Sequence, residues 1–260
     1  MTSIRNLTLA AALGLGALGM PAQAQAQENA LSFSLSGGAK VMPLYFGSGD
    51  LRLGPTGGIG FTGLRFGSLQ IGDPDGPRQF AQGASVRGAF RFIPKREGKD
   101  ELAGMEDVKA SLEIGLRAHY TDEFFHVFAD LRYGVIGHKA IAGEVGADLL
   151  WRDPGGLIVH GGPRAEYGNS RFNRTYFGVT GAEAADPGNS LTPYTLSGGF
   201  HSVGLEIGAY QPLGADWALT GAVRYDRLRG DAARSPIVQQ GSRNQLSAEI
   251  GLTRHFNLRF

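Results

Sequence analysis

Apolar and polar residues alternate over stretches far longer than an ordinary strand, and this constrains the chain more than any other feature. In "DVKASLEIGLRAHY", Val108, Ala110, Leu112, Ile114, Leu116, Ala118 and Tyr120 share one face, while Lys109, Ser111, Glu113, Gly115, Arg117 and His119 share the other. Successive side chains point to opposite sides only in extended backbone, so the segment reads as a strand with one apolar face. "FFHVFADLRYGV" repeats the pattern with Phe125, Val127, Ala129, Leu131, Tyr133 and Val135 opposite His126, Asp130 and Arg132. "DWALTGAVRY" does so with Trp217, Leu219, Val223 and Tyr225 on one side.

Alternation alone suits a soluble sandwich or a membrane barrel. Strand length separates them: sandwich strands average about 5–6 residues, whereas these run on the scale of the ~9–11 residues that cross a bilayer at a tilt. Tyr120, Tyr133, Trp151, Tyr167, Tyr210, Trp217, Tyr225 and Phe260 are expected near strand ends on the apolar face, as an interfacial aromatic girdle. The expected fold is therefore all-β, a closed antiparallel transmembrane β-barrel of about 10–12 strands. After residue 26 no stretch is apolar and long enough for a transmembrane helix.

The last residues, "TRHFNLRF", place Phe256, Leu258 and Phe260 on every second position. This resembles the C-terminal signal read by the β-barrel assembly machinery of the outer membrane. It implies a closing strand that pairs with the first, because an open sheet edge in lipid leaves its backbone groups unsatisfied.

Residues 1–26 read differently. Arg5 precedes the uncharged run Leu7–Met20, and "AQAQAQ" offers small-residue cleavage after Ala24 or Ala26, as in a secretory signal peptide. The expected domains are thus a leader, 1–26, and a barrel, 27–260. The chain carries 25 basic and 24 acidic residues, and without Arg5 the two are equal in number. A nucleic-acid partner would leave a basic footprint, so none is expected. With no cysteine, packing and strand pairing must hold the fold. Forty-one glycines in 260 residues, against a usual ~7%, also weigh against long helices.

Strands are expected near 31–45, 57–72, 84–93, 107–120, 124–135, 139–151, 156–167, 196–210, 216–228 and 246–260. Ten is the count, rising to twelve if the region before residue 84 or "RTYFGVT" adds a hairpin. The links "TDE", "RDPGG" and "QPLGAD" are short and become periplasmic turns. "IPKREGKDELAGMED", the long segment from "GNSRFNRTYFG" to "LTPYT", and "RGDAARSPIVQQGSRN" then become external loops.

"YFGVTGAEAADPG", "GGFHSVGLEIGAYQPLGADWALTGAVRYDRLRGDAARSPIV" and "GSRNQLSAEIGLTRHF" resemble the MipA/OmpV family of MltA-interacting outer-membrane proteins. The likeness extends upstream through "PLYFGSGD", "IGHKAIAGEVGADLLWR" and "GPRAEYGNSRFNRTYFG". It implies a non-enzymatic scaffold or anchor for a murein lytic transglycosylase and a murein synthase in a Gram-negative outer membrane. The alternatives are a small pore or solute- or antibiotic-binding barrel using a polar lumen, and an embedded hydrolase.

Candidate chemistry is sparse. Gly58, Gly60 and Gly63 in "GGIGFTG" match a dinucleotide spacing, but a strand pattern rather than a helix follows. The six histidines form no metal-binding array, so no metal and no cofactor is expected. His126 with Asp130, Asp148 or a serine is the one hydrolase dyad to consider, without a supporting local motif. Lys109, Glu113, Arg117, Asp130, Arg132, Glu144 and Asp148 are expected to pair across the lumen and plug it. Arg164, Arg171, Arg174 and Tyr176 belong to a basic, aromatic segment read either as a ligand-binding loop or as packing at the barrel mouth.

Overall fold

A computed structural model describes residues 29–72, 74 and 79–260. The expected leader, 1–26, lies outside the described residues. Ten long strands and one short one follow one another among the described residues: β1 (Ala30–Pro43), β2 (Leu51–Phe66), the four-residue β3 (Leu69–Gly72), β4 (Gly83–Ile93), β5 (Ser111–Thr121), β6 (Phe125–Ile136), β7 (Ile141–Arg152), β8 (Ile158–Gly168), β9 (Gly199–Leu213), β10 (Trp217–Leu228) and β11 (Asn244–Arg259). All form one antiparallel sheet in the order β3-β2-β1-β11-β10-β9-β8-β7-β6-β5-β4.

The sheet curls until β2 runs beside β4, with Cα atoms within 8 Å, and no ladder joins the two. The fold is thus a nearly closed antiparallel barrel. As the terminal pattern implies, β11 pairs with β1, from Ala30 opposite Arg259 to Val41 opposite Ala248. Phe33 stacks on Phe256 across that join with ring centroids 5.0 Å apart. The seam lies elsewhere, where the chain passes from β3 to β4.

The region before residue 84 differs from the expected strand over 57–72. β2 begins six residues earlier and stops at Phe66, because Gly67 adopts φ +56, left-handed backbone that suits glycine, and turns the chain into β3. Pro55 and the neighbouring glycines read as a loop in sequence. In the sheet Pro55 lies on the part of β2 whose far edge has no ladder, β3 pairing only from Gly63 to Phe66, so a missing N–H costs little.

Outward positions carry large exposed apolar side chains, among them Leu53, Ile59, Leu116, Leu131, Leu149, Leu205 and Ile250. Tyr120, Tyr133, Trp151, Trp217, Tyr225 and Phe260 lie among them, as the girdle predicts. Tyr210 does not. It shares parity with Glu206 and Gly208 rather than with Leu205 and Ile207, and it is buried, 3.2 Å from His255 Nε2.

The short connections after β5, β7 and β9 lie at one end, together with the β2–β3 turn. The long connections lie at the other and hold the described helices: α1 (Ser170–Phe177), α2 (Gly181–Ala184), α3 (Gly230–Arg234) and α4 (Pro236–Gln240). "RTYFGVT" does not add a hairpin: its first half is the end of α1, and Val179 makes only a single bridge, to Tyr194.

Candidate functional site

Strand parity turns a set of opposite charges into the lumen, and they join into a network spanning β4 to β10. Glu113 on β5 is at its centre, its side chain 0% exposed. Arg91 on β4 grips it with two bonds, Nε to Oε2 at 2.8 Å and Nη2 to Oε1 at 2.9 Å. Arg132 on β6 donates Nε to Oε2 at 2.9 Å. His138, in the turn after β6, accepts the Ala140 N–H at Nδ1, so its proton sits on Nε2 and is donated to Glu113 at 3.0 Å. Arg132 also binds Asp130, which Arg117 holds at 2.6 Å.

From this cluster the network crosses the barrel. Arg91 reaches Glu166 on β8 at 3.1 Å, and Arg224 on β10 reaches Glu166 at 3.1 Å and Glu144 on β7 at 2.9 Å. Arg224 also chelates Asp226. Arg164 on β8 donates to Asp148 and Glu206, each at 2.8 Å. Buried charges persist only when paired in this way, and the pairs occupy the space a solute would need to cross.

Both ends are filled. At the loop end, Asn169 caps α1 by accepting the Phe172 N–H at 2.9 Å, and Phe172, Tyr176 and Phe177 turn inward. Phe46 packs on all three rings, and Tyr176 donates to Ser111 Oγ at 3.2 Å. Burial pushes the Tyr176 phenol up to about 12. Tyr45 beside it is also raised, by burial and by its bond to Glu101. Arg96, which donates to the Tyr176 carbonyl, is lowered by burial. At the short-turn end, Phe80 is buried with its ring 5.0 Å from His126 and 5.1 Å from His160, and Arg152 donates to its carbonyl at 3.1 Å.

Several expected residues fall where the sequence placed them. Glu113, Arg117, Asp130, Arg132, Glu144 and Asp148 all enter the network. Lys109 does not, because it precedes β5 and is exposed. Arg164 lies on β8 inside the barrel rather than in the loop. Arg171 and Arg174 are exposed on α1, whereas Tyr176 is buried in the plug, so the four do not converge. Phe256 and Leu258 lie on the outer face of β11, and the Phe260 N–H binds the Asn29 carbonyl at 3.0 Å.

Gly58, Gly60 and Gly63 lie within β2, with no helix after them. The hydrolase dyad does not assemble. His126 Nδ1 is 2.7 Å from Thr121 Oγ1, while Asp130 and Asp148 are held by arginines. Among the described residues no group of three metal-ligating side chains comes together. Sequence reasoning missed Arg91, Glu166, Glu206, Arg224 and Asp226. Parity could have found four of them, since Arg91 sits between Phe90 and Phe92, Glu206 between Leu205 and Ile207, and Arg224 and Asp226 flank Tyr225 on the polar side of β10.

Residues 35–256 match the protein family described as MltA-interacting protein MipA. The MltA-interacting proteins of Escherichia coli (strain K12) and Shigella flexneri are each 26% identical to this chain over 177 residues. That match covers 61% of this chain and 63% of each relative, so it spans less than two thirds of their length. Among solved structures, Pseudomonas putida OprB aligns with a TM-score of 0.35 at 11% identity, covering 76% of this chain and 47% of that one. OprG from Pseudomonas aeruginosa aligns with a TM-score of 0.28 at 13% identity, covering 88% and 97%.

Proposed function

Because the chain belongs to the family of the MltA-interacting protein MipA, we propose that it is a non-enzymatic outer-membrane barrel. In this reading it anchors or scaffolds murein-remodelling enzymes, a lytic transglycosylase and a murein synthase, at its short-turn end. One observation carries the choice of anchor over pore: the lumen is crossed by the Glu113–Arg91–Glu166–Arg224–Glu144 chain of ion pairs and filled with aromatic side chains at both ends. A barrel so occupied works through its surfaces. The apolar outer belt supports a bilayer seat, and Phe256, Leu258 and Phe260 suit recognition by the assembly machinery.

The non-enzymatic reading is supported by Asp130 and Asp148 being committed to arginines, which leaves His126, 2.7 Å from the Thr121 hydroxyl, without a free carboxylate to orient it as a base. With the short turns facing the periplasm, the links at 122–124, 153–157 and 214–216 are the docking candidates. Segment 73–82 is a fourth candidate, in which the described Pro74 and Phe80 are buried.

The test joins two measurements on the refolded, heat-modifiable protein. In planar bilayers it should give no steady conductance, and MltA should co-purify with it and be lost on rebuilding the 153–157 turn. Steady, selective conductance without MltA capture would replace the anchor with the pore.

A further inference from the structure

Between the ion network and the loop-end plug lies a cavity of about 650 Å³. Three arginines line it, and each carries one buried nitrogen with no acceptor: Arg52 Nε, Arg96 Nε and Arg132 Nη2. Arg96 and Arg132 are only 6% and 3% exposed. Arg96 gives its other nitrogens to the carbonyls of Tyr176 and Glu106, at 3.3 and 3.5 Å, and among the described residues neither Arg96 nor Arg52 has an ion pair. The carboxylates of the same wall are already engaged, Glu144 and Glu166 by Arg224 and Glu249 by Lys40. The unmet bonding of the cavity is therefore dominated by arginine donors, the exception being the His201 ring, whose two nitrogens are also without a hydrogen-bond partner. Buried donors on cationic groups carry a desolvation penalty that an anionic acceptor removes.

The cavity also reaches the outer surface. Pro55 and Gly57 on β2 and Phe90 and Phe92 on β4 point outward, yet they line it along with the inward arginines. This is the seam, where the two strands run side by side without a ladder. Gly57 has no side chain to block the gap, and Phe90 and Phe92 are 40% and 57% exposed.

We propose that the cavity binds the oxyanion head of an amphiphile on Arg52, Arg96 and Arg132, with its apolar chain leaving the barrel sideways between β2 and β4. The head chemistry, a phosphate or carboxylate, is common to membrane lipids and to free anions; the chain is what distinguishes them. This goes beyond the anchoring role and does not depend on any docked enzyme.

The test uses the refolded full chain in dodecyl maltoside micelles, with unfolding temperature read against added decyl phosphate, inorganic phosphate and, as an uncharged control, decyl maltoside. Decyl phosphate should bind at least tenfold more tightly than inorganic phosphate, and decyl maltoside should give no shift. Arg52→Gln and Arg96→Gln should each weaken decyl phosphate at least tenfold, and Arg52→Gln should do so without lowering the unfolding temperature of the unliganded protein. A purely structural arginine would lower it instead, so that result counts against the site. Equal binding of inorganic phosphate would assign a free anion and overturn the lateral route. No shift with either probe, or identical shifts in wild type and variants, would overturn the site and leave the three nitrogens to water.

Discussion

Glu113 accepts from Arg91, Arg132 and His138 on three different elements while fully buried. Removing one member of a buried charge network strands the others, at a cost of about 3–5 kcal/mol. Glu113→Leu should lower unfolding stability by that amount in urea titrations of the lipid-reconstituted barrel, whereas Glu97→Gln, on the exposed loop, should change little. A second residue reports on pH. Burial would raise the Glu183 carboxyl, but the N–H groups of Thr180 and Glu106 and the Thr180 hydroxyl together hold it below the usual carboxylate range. Its contribution is complete above the unfolded-state value, ~4.3, and is lost as pH falls through the lower folded value. Protease sensitivity of residues 170–198 should therefore rise on acidification below that range, and Glu183→Gln should be equally sensitive at neutral pH. The polar parity of β5 to β7 made Glu113 and its neighbours legible in sequence; which residues pair with which was not, because the Arg91–Glu166 and Arg224–Glu144 pairs join residues 75 and 80 apart in the chain.

Among the elements, α1 decides whether the barrel mouth is closed. Asn169 satisfies the otherwise unpaired N–H of Phe172, and Phe172 and Tyr176, four residues apart, face the lumen together. Asn169→Ala should cost about 1 kcal/mol and loosen the plug, read as faster proteolysis within 170–198. Phe172→Ala with Tyr176→Ala should empty the mouth, and brief conductance bursts in planar bilayers would show it. The strands from β4 onward were legible to within four residues at each end, β5 and β9 being the furthest off, because one face meets an apolar surrounding and the other a charged lumen. The helix was hidden by its composition: Thr175, Tyr176, Phe177 and Val179 favour extended backbone, and only Asn169 ahead of two aromatics at helical spacing gave it away. β2 was misplaced for the opposite reason, since the Gly and Pro residues that suggested a loop sit on a strand edge with no ladder to disturb.

At the scale of the whole molecule, the described residues form a sheet of eleven strands with one unsealed join. Amides on the facing edges of β2 and β4 have no partner across that join, whereas those between β8 and β9 are paired from Ile158 to Gly168. Hydrogen exchange in micelles should therefore be fastest on the seam edges and slowest in β7 to β10, and protection of the seam by decyl phosphate would tie its closure to the cavity. The outward apolar pattern made the barrel legible at this scale. The position of its opening was not legible, because it depends on which two strand edges fail to meet, and alternation along a strand carries no information about that.

The weld of β1 to β11 places Asn29 and Phe260 in hydrogen-bonding contact, deep within an unbroken run of ladders, while among the described residues the break lies between the β2–β3 hairpin and β4, the next strand in chain order. The molecule is in this sense topologically a ring cut at the wrong place. A circular permutant that fuses Phe260 to Asn29 through a short linker and opens the chain between β3 and β4 would leave every ladder intact. Its strands would then meet their neighbours strictly in order of synthesis, removing the one pairing that now waits for the whole chain.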